Sequence, residues 1–228
     1  KIMPLKGLSD EGSGETSDLA QAVIYAADNG AQITSNSWGG YGEDPILSEA
    51  FNHAYSKGVV SLAAAGNSNS DTKHFTPANI PTVIAVAAST QDDKKASFSN
   101  YGAIVDLAAP GGGYDNELGT GRTDMYNILS TMPDNSRLAQ GFPNLRIAEG
   151  YYRLAGTSMA CPHAAGVAAL LVSQFPNAAV SEIKARMQAY ADPFLEMPPQ
   201  PIGSGRINAY RAIAGSPRPF MELLATEL

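Results

Sequence analysis

Val59-Val60-Ser61-Leu62-Ala63-Ala64-Ala65 is the stretch on which the fold turns. It is an apolar run of strand length that starts after Gly58 and shows no polar–apolar alternation to mark a solvent face. A strand of that kind is buried on both sides, as in parallel sheets covered by helices. Its neighbours agree. Pro45 to Lys57 reads as a helix stopped by Gly58, and before it Ala31 to Trp38 reads as a short strand. Further out, Ser17 to Asn29 places Leu19, Ala22, Val23, Ala26 and Ala27 at helical spacing, with Gly30 where a helix would end. On the other side Pro81 precedes a second apolar run, Thr82 to Ala88. Strand and helix alternating at these lengths predict an α/β fold of three layers, αβα, with a mostly parallel central sheet.

Downstream the rhythm changes. Gly, Asn and Asp interrupt short apolar runs from Ala109 to Gly150, so long inserted loops are expected at about 111–150. Ser158 to Phe175 reads as a helix that is apolar nearly all round, which predicts burial at the centre of the fold. A polar-faced helix near Ser181 to Ala191, a loop around Pro198, Pro199 and Pro201, and a short helix near Ile207 to Ala214 complete one domain over 1–215. Pro217 and Pro219 mark its edge and leave 216–228 as a tail or the start of a linker. There is no internal repeat or low-complexity tract.

Composition removes several functions. The chain has 228 residues, with 22 Asp and Glu against 15 Lys and Arg, a formal charge of −7. No basic surface awaits a phosphate backbone, so nucleic acid is not an expected partner. The single cysteine, Cys161, excludes an internal disulfide and a cysteine-based zinc site. No segment reaches the roughly eighteen apolar residues of a membrane span, and Lys1 to Lys6 lacks the apolar core of a signal peptide. Position 1 is not Met, so an upstream start is expected, and targeting information with it.

The sharpest chemical signal is Gly156-Thr157-Ser158-Met159-Ala160-Cys161-Pro162-His163, a small-residue turn feeding the long helix. A serine there has its hydroxyl beside unpaired backbone N–H groups, which together with the helix dipole stabilise an oxyanion formed when the serine attacks a carbonyl. The plainer alternative is a serine N-cap. Pro162 suits both readings, since the first helical turn needs no N–H.

This segment resembles the nucleophile motif of the subtilisin-like serine proteases. Other segments match in the family's order over nearly the whole chain, apart from the loops between Gly111 and Ala155 and the last dozen residues. Ala63-Ala64-Ala65-Gly66-Asn67 is similar to the strand whose asparagine completes the oxyanion hole, which implies that Asn67 donates to the developing charge. Asn36-Ser37-Trp38-Gly39-Gly40 resembles the segment that pairs with an extended peptide, with Trp38 as a pocket wall. Gly12-Ser13-Gly14 resembles the opposite edge. The resemblance therefore implies catalytic roles for Ser158 and Asn67, and substrate binding by Gly12, Ser13, Gly14, Ser37, Trp38, Gly39, Ala65 and Gly66. It also puts Phe75 near the floor of the primary specificity pocket, shortening it. Each segment has a plainer alternative: loop for Asn67, core for Trp38, an ordinary turn for Gly12 to Gly14. No organic or redox cofactor is implied. Calcium is carried as an optional structural ion with its ligands unassigned; acidic clusters such as Asp10, Glu11 and Glu15 or Asp92 and Asp93 are equally explained as solvated surface.

Gly12-Ser13-Gly14 also sits between strand-like and helical segments, but the third glycine of a dinucleotide loop is replaced by Ser17 and no Gly-Lys-Ser/Thr occurs, which disfavours a phosphate site. A serine nucleophile needs an adjacent base. His163 lies five residues after Ser158 on one helix, roughly 140° around the axis, and points away. His53 and His74 lack the family's histidine motif, and the aspartate segment is missing too. The catalytic Asp and His are thus expected upstream of Lys1, on an N-terminal part of the same protein that also supplies the missing strands and helices. This chain alone is expected to be incomplete and inactive. A degenerate relative that only binds peptide, and a peptide ligase or macrocyclase in which an amine resolves the acyl-enzyme, remain as alternatives. An α/β-hydrolase esterase is disfavoured because it needs Ser, then an acid, then His in chain order, and only His163 follows Ser158. The expected activity is endopeptidase cleavage, in a secreted setting.

Overall fold

The computed structural model describes residues 1–113, 126–141, 143–194 and 199–215. Four parallel strands form its central sheet in the order β1-β3-β5-β6: β1 (Ile33–Asn36), β3 (Val60–Ala64), β5 (Val83–Ser89) and β6 (Leu107–Pro110). The strand pleat sends alternate residues to opposite faces. Val60, Leu62, Ala64, Ile84, Val86, Ala88, Leu107 and Ala109 pack on α4 (Thr157–Gln174), α5 (Val180–Ala189) and α6 (Ala209–Ala214). Ala63, Val83 and Ala85 face α1 (Thr16–Asp28) and α2 (Pro45–Ser56). Both faces are covered, which is why these strands read as continuous apolar runs and gives the expected three-layer αβα fold.

Local chemistry sets the boundaries. Pro45 opens α2, and Asp44 caps it by accepting from the Ile46 and Leu47 N–H groups at 2.9 and 3.0 Å. Gly30, at φ 84°, ends α1 while the Ala31 N–H returns to the Ala26 carbonyl. A small ladder joins β2 (Gly40–Tyr41) to β4 (Phe75–Thr76) antiparallel.

Two expectations change. The stretch read as inserted loops carries an antiparallel sheet, β7 (Ile128–Thr131), β9 (Tyr151–Leu154) and β8 (Arg146–Ala148), with α3 (Arg137–Gly141) between. Asp134 organises it: its carboxylate takes Arg146 at 2.8 Å, the Gly150 N–H at 3.0 Å and the Tyr152 hydroxyl at 3.0 Å. Short strands tied by a polar hub leave little apolar periodicity to read. Helix α4, expected to be buried all round, buries Ala160, Cys161, Ala164, Val167, Ala168 and Leu171 but exposes Pro162, His163, Gly166 and Leu170. It lies on the sheet and is open on its other side. The tail at 216–228 and the loop at Pro198 lie outside or at the edge of the described residues.

Candidate active site

Ser158 stands in the first turn of α4, at the end of β9 and next to the loop that leaves β3. A cleft of about 530 Å³ opens over it. Gly12, Ser13 and Gly14 form one rim, Ser37, Trp38 and Gly39 the other, and Gly66, Asn67, Phe75 and Thr157 line it near Ser158. Trp38 is half-buried and leans on Phe51, ring centroids 6.1 Å apart, so it is both core and wall. Ala65 stands apart: it is fully buried, its N–H bonds the Val86 carbonyl and its carbonyl accepts from Asn100.

The Asn67 carboxamide is oriented by its acceptor end. Its Oδ1 accepts from the Thr157 N–H at 2.8 Å and from the Thr157 hydroxyl at 2.9 Å. An amide oxygen held by two donors fixes which end is nitrogen. The Nδ2 group is left without an acceptor among the described residues, and so is the Ser158 N–H. The two donors lie near each other: a Cβ built on Gly156 would be 3.6 Å from each, and 3.7 Å from Asn67 Oδ1. Two unpaired donors beside a serine hydroxyl are the physical requirement for holding an oxyanion.

Pro162 contributes in a way the sequence reading did not anticipate. It lies in the second turn of α4, not the first, and having no N–H it leaves the Ser158 carbonyl free within the helix. Ser37 Oγ donates to that carbonyl at 2.8 Å, while Ser158 Oγ donates to the Ser37 carbonyl at 3.3 Å. The Ser158 turn is thereby stitched to the segment that follows β1. A backbone carbonyl is too weak a base to activate the hydroxyl.

None of the three histidines meets Ser158. His163 Nδ1 lies 2.8 Å from the Met159 carbonyl on its own helix. His53 Nε2 lies 2.8 Å from Asp28 and joins α2 to α1. His74 closes an exposed 3₁₀ turn. Within the acidic clusters Asp10 pairs with Lys6, Glu11 with Arg137 and Asp93 with Arg206. Among the described residues no three His, Cys, Asp or Glu side chains converge as a metal site, and no helix is long and apolar enough to cross a membrane. Cys161 is buried beneath the site, 3.7 Å from Ser35 Oγ, and burial pushes its thiol up.

Phe75 occupies the space between the Ser37–Gly39 rim and the Asn67 loop. A Cβ on Gly39 would lie 2.6 Å from its Cε1, and one on Gly66 would lie 3.2 Å from its Cδ1. Tyr41 supports the ring edge-on at 5.9 Å. One residue escaped the sequence reading: Asn100, fully buried behind the Asn67 loop. Its signal in the sequence is only an asparagine within Ser97-Phe98-Ser99-Asn100, and nothing local distinguishes it from a turn residue.

A serine at a helix start, an oriented carboxamide beside it and glycine-bearing segments lining one cleft thus stand together on a parallel αβα sheet. The chain belongs to the subtilase family, whose model matches residues 1–205. It is 40% identical over 213 residues to a thermophilic serine proteinase of Bacillus sp. (strain AK1), covering 93% of this chain and 45% of that protein. Thermitase of Thermoactinomyces vulgaris is 38% identical over 212 residues, covering 93% of this chain and 64% of that protein. The chain therefore spans about half to two thirds of the length of these relatives. Among solved structures, a protease from Pseudoalteromonas arctica PAMC 21717 superposes with a TM-score of 0.76 at 32% identity, over 89% of this chain and 59% of that one.

Proposed function

We propose that this chain carries the nucleophile and oxyanion half of a serine endopeptidase. Ser158 attacks the scissile carbonyl, and Asn67 Nδ2 with the Ser158 N–H receives the negative charge of the tetrahedral intermediate. The observation that carries this reading is the Asn67 amide: two bonds from Thr157 hold its oxygen, and its nitrogen has no acceptor among the described residues. The general base is a histidine, oriented by an aspartate, on a part of the protein outside this chain. That assignment is supported by the three local histidines, which are engaged elsewhere or exposed away from the hydroxyl. The edge of the sheet supports it as well: among the described residues β1 has a strand neighbour on one side only. The setting is extracellular, following the family resemblance.

The substrate is an extended peptide whose backbone lies between Gly12–Gly14 and Ser37–Gly39, a mode that recognises any strand and leaves preference to pockets. Phe75 fills the pocket beside Asn67 and limits the residue preceding the scissile bond to modest size. Cleavage of a randomised peptide mixture by the protein that contains this chain tests both points. Scission after small and medium residues, yielding free carboxylates, is the expected result. A strong preference for Tyr or Arg would overturn the pocket assignment. Peptide binding without turnover would favour a binding module, and joined products a ligase.

A further inference from the structure

The side chain of Asn67 is tied to Thr157, but its backbone is held through its neighbours. Its own backbone N–H and carbonyl make no hydrogen bond among the described residues. Several of the residues around it are bound by one buried residue, Asn100, through its side chain and its backbone N–H. Asn100 Oδ1 accepts from the Ser68 N–H at 2.9 Å, the Ser70 N–H at 3.1 Å and the Ser70 hydroxyl at 3.3 Å. Its Nδ2 donates to the Ala65 carbonyl at 2.9 Å, and its backbone N–H donates to the Gly66 carbonyl at 2.9 Å. Residues 65, 66, 68 and 70 are thus bound to Asn100 and the Asn69 N–H to the Phe98 carbonyl, which leaves position 67 as the one residue of 65–70 with no backbone hydrogen bond among the described residues.

The approach is close enough to dictate the neighbouring residue. Gly66 has φ +106°, and a Cβ there would lie 2.2 Å from Asn100 Nδ2. Glycine at 66 is what allows the Asn100 amide to span from the Ala65 carbonyl to the Ser68 and Ser70 N–H groups. Asn100 is 0% exposed and its amide oxygen takes three donors, so it has no freedom to choose another arrangement.

We propose that Asn100 is a positioning residue for the oxyanion donor: it holds the loop so that Asn67 Nδ2 is placed before the substrate arrives. This rests on the role proposed for Asn67. Donors of this kind act because they are fixed beforehand, and displacement by a fraction of an ångström removes most of the benefit. Asn100 touches neither substrate nor reacting atoms, so its effect passes through Asn67.

The test is a double-mutant cycle in the active protein that contains this chain, with melting temperatures taken alongside. Asn100→Ala is expected to lower kcat about 10-fold or more with little change in KM, and to lower it less than about 2-fold further in an Asn67→Ala background. Asn100→Asp keeps the shape but sets an oxygen against the Ala65 carbonyl, and is expected to show the same dependence on Asn67. Folded Asn100 variants with kcat within 2-fold of the parent, or with equal losses in both backgrounds, would overturn the inference. So would failure of both variants to fold, which would assign Asn100 to stability alone. If Asn67→Ala itself leaves kcat intact, the oxyanion reading fails first, and the two failures are thereby told apart.

Discussion

Replacing Thr157 with valine tests the geometry behind Ser158 most sharply, because the change is nearly isosteric and removes only a hydroxyl. Thr157 is 0% exposed. Its Oγ1 donates to Asn67 Oδ1 at 2.9 Å and accepts from the Gly66 N–H at 3.2 Å. In Thr157→Val the Gly66 N–H stays buried with no acceptor, at a cost of about 1–3 kcal/mol, and Asn67 loses one of two bonds worth about 1 kcal/mol. The sum, about 2–4 kcal/mol, corresponds to roughly 4–16 °C in melting temperature for a domain of this size. Thr157→Ser keeps both bonds and loses one methyl, about 1 kcal/mol and about 2–4 °C. The melts are run on the protein containing this chain with Ser158→Ala, so that self-cleavage does not intervene. Turnover, measured with Ser158 present, is expected to fall about 10-fold in the valine variant and only a few-fold in the serine variant. A valine variant that melts at or above the serine variant would refute the reasoning.

Three further outcomes follow from single residues. Burial opposes ionisation of Asp192, but hydrogen bonds from Arg211, Asn208 and Arg206 prevail and hold its carboxyl below the ordinary carboxylate value. Its contribution is therefore complete above the unfolded value near 4 and is lost as pH falls from about 4 toward the folded value. The melting-temperature gap between the parent and Asp192→Asn should shrink below about pH 4; a constant gap would contradict this. Cys161, buried and with its thiol pushed up, should resist iodoacetamide in the native protein and react after denaturation, as read by intact mass; rapid native alkylation would contradict its placement. Trp38 is the only tryptophan of this chain and walls the cleft, so its emission should change on binding a peptide aldehyde and stay constant if the groove is elsewhere. In a longer protein, Trp38→Phe identifies the signal.

The sheet was legible because its strands are buried on both faces: residues 59–65 and 82–88 stand out as runs, and Gly30, Gly58 and Asp44 mark the helix ends beside them. The turn around Ser158 could be read as a candidate because its residues are contiguous. The opposing rims were reached only through resemblance, since Gly12–Gly14 and Ser37–Gly39 are brought together by the fold and not by spacing. Less was readable where one polar side chain does the organising. Asp134 assembles β7, β8 and β9, and Asn100 assembles the loop around Asn67, through bonds to residues far away in sequence. Pro162 misled in a different way: its meaning depended on the helix starting at Thr157, which makes its missing N–H the reason that Ser37 reaches the Ser158 carbonyl.

The central claim is that Ser158 is the nucleophile and Asn67 its oxyanion donor, and labelling with a fluorophosphonate tests both. Modification is expected at Ser158 in the protein that contains this chain, none in Ser158→Ala, and a markedly lower rate in Asn67→Ala, whose loss in turnover is expected to be about 10²–10³. Modification at another residue, or an undiminished rate in Asn67→Ala, would contradict it.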